Sequence, residues 1–265
     1  MRIDVSGDPN EKRMRCVGLI PARMASSRFP GKPLARILGL SMLEHIYRRA
    51  RLSALLEDVA VTTCDEAIRV EAERFGTRAL MTSDRHERAM ERVAEAAEGL
   101  EAEVIVLIQG DEPLLHPAML EELLRPFHDE PGLLCTNLMV EIGEAEARDP
   151  NQVKVAVDQA GNALYMSREP LPTLQRGGRR TRWRQVGLIA FQRAFLLRLV
   201  SLPTTPLEQA ESIDMLRAIE HGFHVRMVPT RHSTHPVDTP DDVATVEALM
   251  HDDPVLELYA PLSHR

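Results

Sequence analysis

Val104-Ile105-Val106-Leu107-Ile108-Gln109-Gly110-Asp111-Glu112-Pro113 sets five apolar residues directly before a glycine and an acidic pair. An unbroken apolar run of this length suits a strand buried on both faces, since a half-exposed strand would alternate. The next pattern, Pro117–Phe127, has helical spacing and opens on a proline, which the first turn of a helix tolerates. Working outward, the alternation recurs. Upstream, Cys16–Ile20 reads as a buried strand, Met42–Ala50 as a helix, Val59–Thr62 as a strand, Ile68–Phe75 as a helix, Thr77–Met81 as a short strand and Arg88–Ala97 as a helix. Downstream, Leu133–Val140 is a further strand. Strands alternating with helices imply βαβ units, hence an α/β fold: a mixed, mainly parallel sheet with helices on both faces. Ligands of such sheets bind beyond the carboxyl ends of the strands.

The second half changes character. Val153–Val157 and Ala163–Met166, joined by Asp158-Gln159-Ala160-Gly161-Asn162, read as a hairpin. Gln185–Phe191 and Val225–Val228 read as strands, and Ala194–Val200, Ser212–His221 and Pro240–Met250 as helices. These imply either a mixed extension of the first sheet or a small lobe. The expected organisation is a polar N-terminal extension over 1–14, a single domain over 15–250, and a C-terminal tail over 251–265.

Composition excludes several classes of function. The 265 residues carry a formal net charge of -8, which disfavours a generally basic nucleic-acid binder. Aromatic residues make up 4%, with one tryptophan, too few for stacking platforms along single strands. An anionic substrate would need a local cationic cluster working against the overall field. Cys16, Cys64 and Cys135 are an odd set with no CxxC, so reduced thiols are expected rather than a disulfide framework or a cysteine zinc site. The first fifteen residues are polar and show no secretory h-region. No apolar run approaches the roughly 20 residues that span a bilayer. A cytoplasmic location without membrane partners is the expectation.

Three stretches could carry chemistry. The first strand runs into Ile20-Pro21-Ala22-Arg23-Met24-Ala25-Ser26-Ser27-Arg28-Phe29-Pro30-Gly31-Lys32-Pro33-Leu34. Serine hydroxyls and backbone N–H groups can cradle phosphate oxygens, and arginine and lysine can neutralise a phosphate leaving group. The spacing matches neither Walker A nor GxGxxG, and a solvated basic loop has the same composition. The second stretch is Gln109-Gly110-Asp111-Glu112, where Asp111 follows a buried strand into the same crevice and could hold Mg²⁺. A turn aspartate before Pro113 is the other reading. The third is Pro236-Val237-Asp238-Thr239-Pro240-Asp241-Asp242. Thr239 as N-cap, Pro240 at N1 and acids in the first turn explain Asp241 and Asp242. They do not require Asp238, which could complete a magnesium site with Asp111. His86 stands in no HExxH, so zinc hydrolysis has no support. The run Arg176–Arg184, with Trp183 inside it, reads as a mobile charged loop or a lid over an anion.

Taken in order, IPARMASSRFPGKPL, IQGDEP, DPNQVKV, LYMSR and PVDTPDDV resemble the CMP-Kdo synthetases (3-deoxy-manno-octulosonate cytidylyltransferases) from about Cys16 to about Met250. The resemblance implies a Rossmann-like fold of the nucleotide-diphospho-sugar transferase type, usually homodimeric, with acceptor and dimer contacts within 151–235. It implies transfer of CMP from CTP to an acidic 3-deoxy sugar, with Mg²⁺ as cofactor and pyrophosphate released. By matching motif positions, Ala22, Arg23, Ser26 and Lys32 would contact the nucleotide, with Arg23, Lys32 and Asp111 catalytic. Asp111 and Asp238 would bind the metal. Gln109 would lie near the ribose or the incoming sugar, and Arg168, Gln185, Glu211 and Asp214 on the acceptor side.

The chain also departs from the family's pattern. Arg88-Ala89-Met90 stands where the family commonly has SGT before an acid–arginine pair, in a segment that shapes the nucleotide pocket. Gln185-Val186-Gly187-Leu188-Ile189 stands where HLGIY is usual. In Leu207–Arg217, Asp214 replaces a glutamate and Met215 a glutamine. An acceptor hydroxyl left unpaired there would cost roughly 1–3 kcal/mol, so the same chemistry on another ulosonic acid or a different small acid is expected. Two alternatives stand beside it. One is a related nucleotidyltransferase using another base, a phosphonate or a sugar phosphate. The other is a nucleotide-binding regulatory module without turnover.

Overall fold

The computed structural model describes residues 14–25, 28–175 and 181–260. In chain order the strands are β1 Cys16–Pro21, β2 Arg36–Ile37, β3 Leu40–Ser41, β4 Asp58–Thr63, β5 Ala79–Met81, β6 Val104–Ile108, β7 Cys135–Glu141, β8 Lys154–Val157, β9 Ala163–Ser167, β10 Trp183–Gln192 and β11 Arg226–Thr230. The helices are α1 Met42–Ala50, α2 Glu66–Arg74, α3 Ala89–Glu98, α4 Pro117–Asp129, α5 Glu144–Ala147, α6 Arg193–Ser201, α7 Pro206–Glu211, α8 Met215–Glu220, α9 Pro240–His251 and α10 Pro254–Glu257.

Nine strands form one sheet, in the order β5-β4-β1-β6-β10-β7-β11, with β8 and β9 branching from β10. β5, β4, β1 and β6 run parallel, and β10 lies antiparallel between β6 and β7. The second half is therefore a mixed extension of the first sheet, not a separate lobe. β1 and β6 are buried along their whole length because each face of the sheet carries its own core. One core includes Ile20, Ile46, Val106, Leu120 and Val246; the other includes Leu19, Val93, Leu107, Phe191 and Leu196. Alternate residues of one strand thus feed opposite cores, as a strand's two-residue period requires.

Local chemistry explains the helix boundaries. Ser41 opens α1 by accepting the Glu44 N–H at 3.3 Å. His116 caps α4 through Nδ1, which accepts the Ala118 N–H at 3.2 Å, ahead of Pro117 at N1. The helix expected over 212–221 shortens to α8, Met215–Glu220, and an unexpected short helix, α7, precedes it; Ser212, left-handed at φ 54, ends α7 and separates the two. The expected tail after 250 is partly built into the core. α10 buries Val255 and Leu256, and Tyr259 joins a buried network with α1.

Candidate active site

The carboxyl ends of β1 and β6 approach each other closely. A Cβ on Gly110 would lie 2.5 Å from the Pro21 carbonyl oxygen, so only glycine lets these two strand ends meet. Their loops line a cavity of about 750 Å³, within the range of small-ligand sites. Its walls include Ala22, Arg23, Arg28, Lys32, Gln109 and Asp111, and on another side His86, Arg88 and Arg92.

The loop after β1 is held by its backbone. Ala22 N–H donates to the Thr62 carbonyl at 3.0 Å, and Gly31 N–H to the Met24 carbonyl at 3.1 Å. Met24 N–H donates to Asp65 Oδ2 at 2.8 Å. Gly31, with φ 74, opens the single 3-10 turn Lys32–Leu34 and so presents Lys32. The Lys32 ammonium donates to Asp111 Oδ2 at 2.9 Å and reaches Asp238 Oδ1 at 3.5 Å. Arg28 donates to the same Asp238 oxygen at 3.0 Å.

Asp111 and Asp238, 127 positions apart in sequence, thus converge on one ammonium group. The Val237 N–H donates to the Asp111 carbonyl at 2.9 Å, tying the two loops together. Asp242 is occupied by the helix start, accepting from the N–H groups of Asp238 and Thr239 at 2.9 and 2.7 Å. This leaves the Asp238 carboxylate to face the cations. Gln109 lies against β10, where a Cβ on Gly187 would stand 2.4 Å from its Cγ. Burial, reinforced by the charge of Asp111, pushes the Glu112 carboxyl up to about 7.

The remaining candidates are distributed differently. Ser26 lies outside the described residues, as do residues 176–180 of the basic run. Arg168 and Glu211 form a knot of their own. The Glu211 carboxylate accepts from Ser167 Oγ at 2.7 Å, Tyr165 O–H at 3.0 Å and Arg168 N–H at 2.9 Å. The Arg168 guanidinium donates to the carbonyls of Glu211 and Pro150. Gln185 donates to Asn137 Oδ1 at 2.6 Å. Neither Arg168, Gln185 nor Glu211 lines the cavity. Asp214 reaches it through Arg88, whose guanidinium donates to Asp214 Oδ1 at 2.5 Å. Behind them Arg217 and Glu208 make a buried two-pronged pair at 2.9 and 2.6 Å.

Arg28, Asp65 and Arg88 also belong to the neighbourhood of this site. Arg28 lay inside a stretch already singled out. Arg88 belongs to the Arg88-Ala89-Met90 segment already set against the family's pattern, whereas Asp65 gave no local signal, because it holds Met24, a partner that only the fold brings near.

Residues 17–227 match the cytidylyltransferase family. A 3-deoxy-manno-octulosonate cytidylyltransferase of Solibacter usitatus is 43% identical over 237 residues, 89% of this chain and 94% of that protein. Another, from Nitratidesulfovibrio vulgaris, is 43% identical over 244 residues, covering 89% and 96%. Among solved structures, a CMP:2-keto-3-deoxy-manno-octonic acid synthetase complexed with CTP superposes with a TM-score of 0.85 at 38% identity, over 89% of this chain and 98% of that one. A 4-diphosphocytidyl-2C-methyl-D-erythritol synthase from Anaerococcus prevotii shares the fold alone, with a TM-score of 0.61 at 11% identity. The convergence of a basic loop, a strand-end acid and an acid ahead of a helix cap is thus set in a chain that belongs to the cytidylyltransferases, in the family of the 3-deoxy-manno-octulosonate enzymes.

Proposed function

We propose that the chain transfers CMP from CTP to 3-deoxy-manno-octulosonate or a closely related ulosonic acid, releasing pyrophosphate. The observation that carries this is that Lys32 and Arg28, which line the cavity with Asp111 and Arg23, also hold Asp238 at its edge. Arg23 is exposed and lines that cavity. Its guanidinium would take the triphosphate, together with Arg28 and Lys32. The acceptor's anomeric hydroxyl attacks the α-phosphorus, a new P–O bond forms, and the bond to the β-phosphate oxygen breaks. No covalent enzyme intermediate is needed. Catalysis of this kind is mainly positioning and charge stabilisation.

The donor set suits a hard divalent ion such as Mg²⁺. Two carboxylates converge on a spot that already accommodates the Lys32 ammonium, and Mg²⁺ needs only one or two carboxylates beside water and phosphate oxygens. Among the described residues no group of three or more His, Cys, Asp and Glu gathers for a metal, so Asp111 and Asp238 would hold it with the substrate's oxygens. When bound, such an ion neutralises phosphate charge and acidifies a coordinated hydroxyl. Lys32, which donates to Asp111 and reaches Asp238, would with those carboxylates taken up be free to donate to the phosphates.

The same reading includes a homodimer. β9 is the outer strand of a hairpin and exposes Leu164 at 60%, an edge suited to a second copy. Cys16, Cys64 and Cys135 form no disulfide among the described residues, which fits a reducing, cytoplasmic setting. Among the described residues no helix is long and apolar enough to cross a membrane.

The test is to incubate the protein with Mg²⁺, each of the four nucleoside triphosphates and a panel of 3-deoxy sugar acids. Pyrophosphate is measured and the product weighed by mass spectrometry. A CMP-sugar formed only from CTP is the expected result. Pyrophosphate release with UTP or dTTP alone would refute the cytidine assignment, and CTP binding with no product from any acid would refute the transfer.

A further inference from the structure

Asn137 is fully buried on β7, and its amide is spent on β10. Nδ2 donates to the Val186 carbonyl at 2.8 Å and to the Leu188 carbonyl at 2.9 Å. Oδ1 accepts from Gln185 Nε2 at 2.6 Å. The orientation is forced, because the opposite flip would set an amide oxygen against two carbonyl oxygens. The stretch it holds is irregular. Ile189 pairs with Asn137 and Gln185 with Met139, so four steps along β10 face two along β7. Residues 186–188 stand out of the ladder as a bulge, and the Asn137 side chain bonds the carbonyls that the ladder gives up.

The bulge lies where β10 changes neighbours. From Leu188 onward the strand pairs with β6, beginning opposite Ile108. Ahead of Gln185 it pairs with β8 through Trp183 and Arg184. Gly187, at the centre of the bulge, packs on the loop that follows β6. A Cβ there would stand 2.4 Å from Gln109 Cγ and 3.1 Å from Glu112 Oε1, so only glycine allows the approach. The Gly187 N–H also bonds the Glu112 carboxylate. Gln109 lines the cavity beside Asp111. Among the described residues no hydrogen bond holds the Gln109 amide, so contact with Gly187 sets its place.

We propose that Asn137 is a positioning residue for Gln109: by fastening the β10 bulge, with Gln185 as its brace, it fixes how far the Gln109 side chain projects into the cavity. An amide suits this task because it supplies donors and an acceptor at once, and no apolar residue can bond the inward carbonyls of a bulge. Releasing the bulge lets Gly187 withdraw and Gln109 shift, and reacting groups tolerate such displacements poorly. Gln185 then serves the cavity wall from behind, without touching substrate. The inference rests on the nucleotidyl-transfer reading above.

The test is a double-variant cycle on kcat/KM, read as pyrophosphate release from CTP and 3-deoxy-manno-octulosonate with Mg²⁺. Asn137→Ala and Gln109→Ala should each lose roughly ten-fold or more. If Asn137 acts through Gln109, the double variant loses little beyond Gln109→Ala alone. Gln185→Met removes one bond and keeps the bulk of the side chain. It should lose less than Asn137→Ala and show the same coupling. Tyr259→Phe, altered away from the residues that line the cavity, should keep wild-type kcat/KM well below its melting midpoint, which separates lost positioning from lost stability. Should Asn137→Ala fail to fold, the cycle of Gln185→Met with Gln109→Ala decides alone. Losses that multiply independently, or full activity in Asn137→Ala or Gln109→Ala, would overturn the positioning role while leaving the transfer reading intact. Wild type that formed no product would overturn both.

Discussion

Lys32 donates to Asp111 at 2.9 Å and reaches Asp238 at 3.5 Å, so one ammonium separates two carboxylates that would otherwise repel each other. Lys32→Ala should weaken CTP binding by roughly ten-fold or more, the scale of one charge-assisted hydrogen bond; calorimetry with an unchanged affinity would remove Lys32 from the site. Gly110 tests the backbone side of the same arrangement. Gly110→Ala would push a methyl group to 2.5 Å from the Pro21 carbonyl and force the β1 and β6 loops apart. It should cost about 1–3 kcal/mol of stability in a denaturant titration and remove most turnover. Full activity in this variant would show that the two loops need not touch. Arg23, Lys32, Asp111 and Asp238 were legible because each follows or flanks a recognisable strand end or helix cap. Arg168 and Glu211 were singled out from the same sequence, yet they satisfy each other and the Tyr165–Ser167 hairpin strand, a use that depends on contacts no spacing reveals.

At the scale of elements, the segment after α9 shows how little polarity says about docking. Residues 251–260 lack apolar periodicity, but Tyr259 closes a chain of hydrogen bonds. Arg49 Nε donates to the Tyr259 hydroxyl at 2.9 Å, and that hydroxyl lies 2.7 Å from His45 Nδ1. His45 Nε2 lies 2.7 Å from the Ile37 carbonyl, which only accepts, so Nε2 carries the proton and Nδ1 accepts from Tyr259. The ring is neutral, and burial lowers its pKa to about 4. The unfolded ring titrates near 6.5. Between those values the unfolded chain binds the proton and the folded one does not, so stability falls as pH drops from about 6.5 to about 4. The full effect is about 3 kcal/mol. Chemical denaturation across that window should show the loss in wild type and a flatter profile in His45→Gln; identical slopes would contradict the neutral, buried ring. Tyr259→Phe leaves two buried partners unsatisfied and should destabilise by about 1–3 kcal/mol, measured the same way. The helix break at Ser212 was equally hidden, because a left-handed serine carries no sequence mark. The boundaries of α1 and β6, by contrast, match their sequence patterns residue for residue, since a cap and a glycine end them.

Across the whole molecule, an acidic chain keeps its cavity cationic by gathering Arg23, Arg28, Lys32 and Arg88 from loops around one sheet. Because both cores share that sheet, thermal unfolding should be one cooperative transition. CTP with Mg²⁺ at about a hundred times its dissociation constant should add about 2.7 kcal/mol and raise the midpoint by several degrees, an effect Lys32→Ala should largely lose in a melting scan. Two separate transitions would instead mean that the antiparallel extension folds on its own. The alternation of strands and helices made the parallel half legible. Whether the hairpins extended that sheet or formed a lobe depended on β10 pairing with both β6 and β7, a long-range choice without local signature. The central claim is that Asp111 and Asp238 act as a pair in cytidylyl transfer. It is tested most directly by Mg²⁺-dependent pyrophosphate release from CTP and 3-deoxy-manno-octulosonate in wild type, Asp111→Asn and Asp238→Asn. The account predicts that each variant loses at least roughly a hundred-fold in kcat while CTP affinity falls far less. Near-normal turnover in either variant would contradict it.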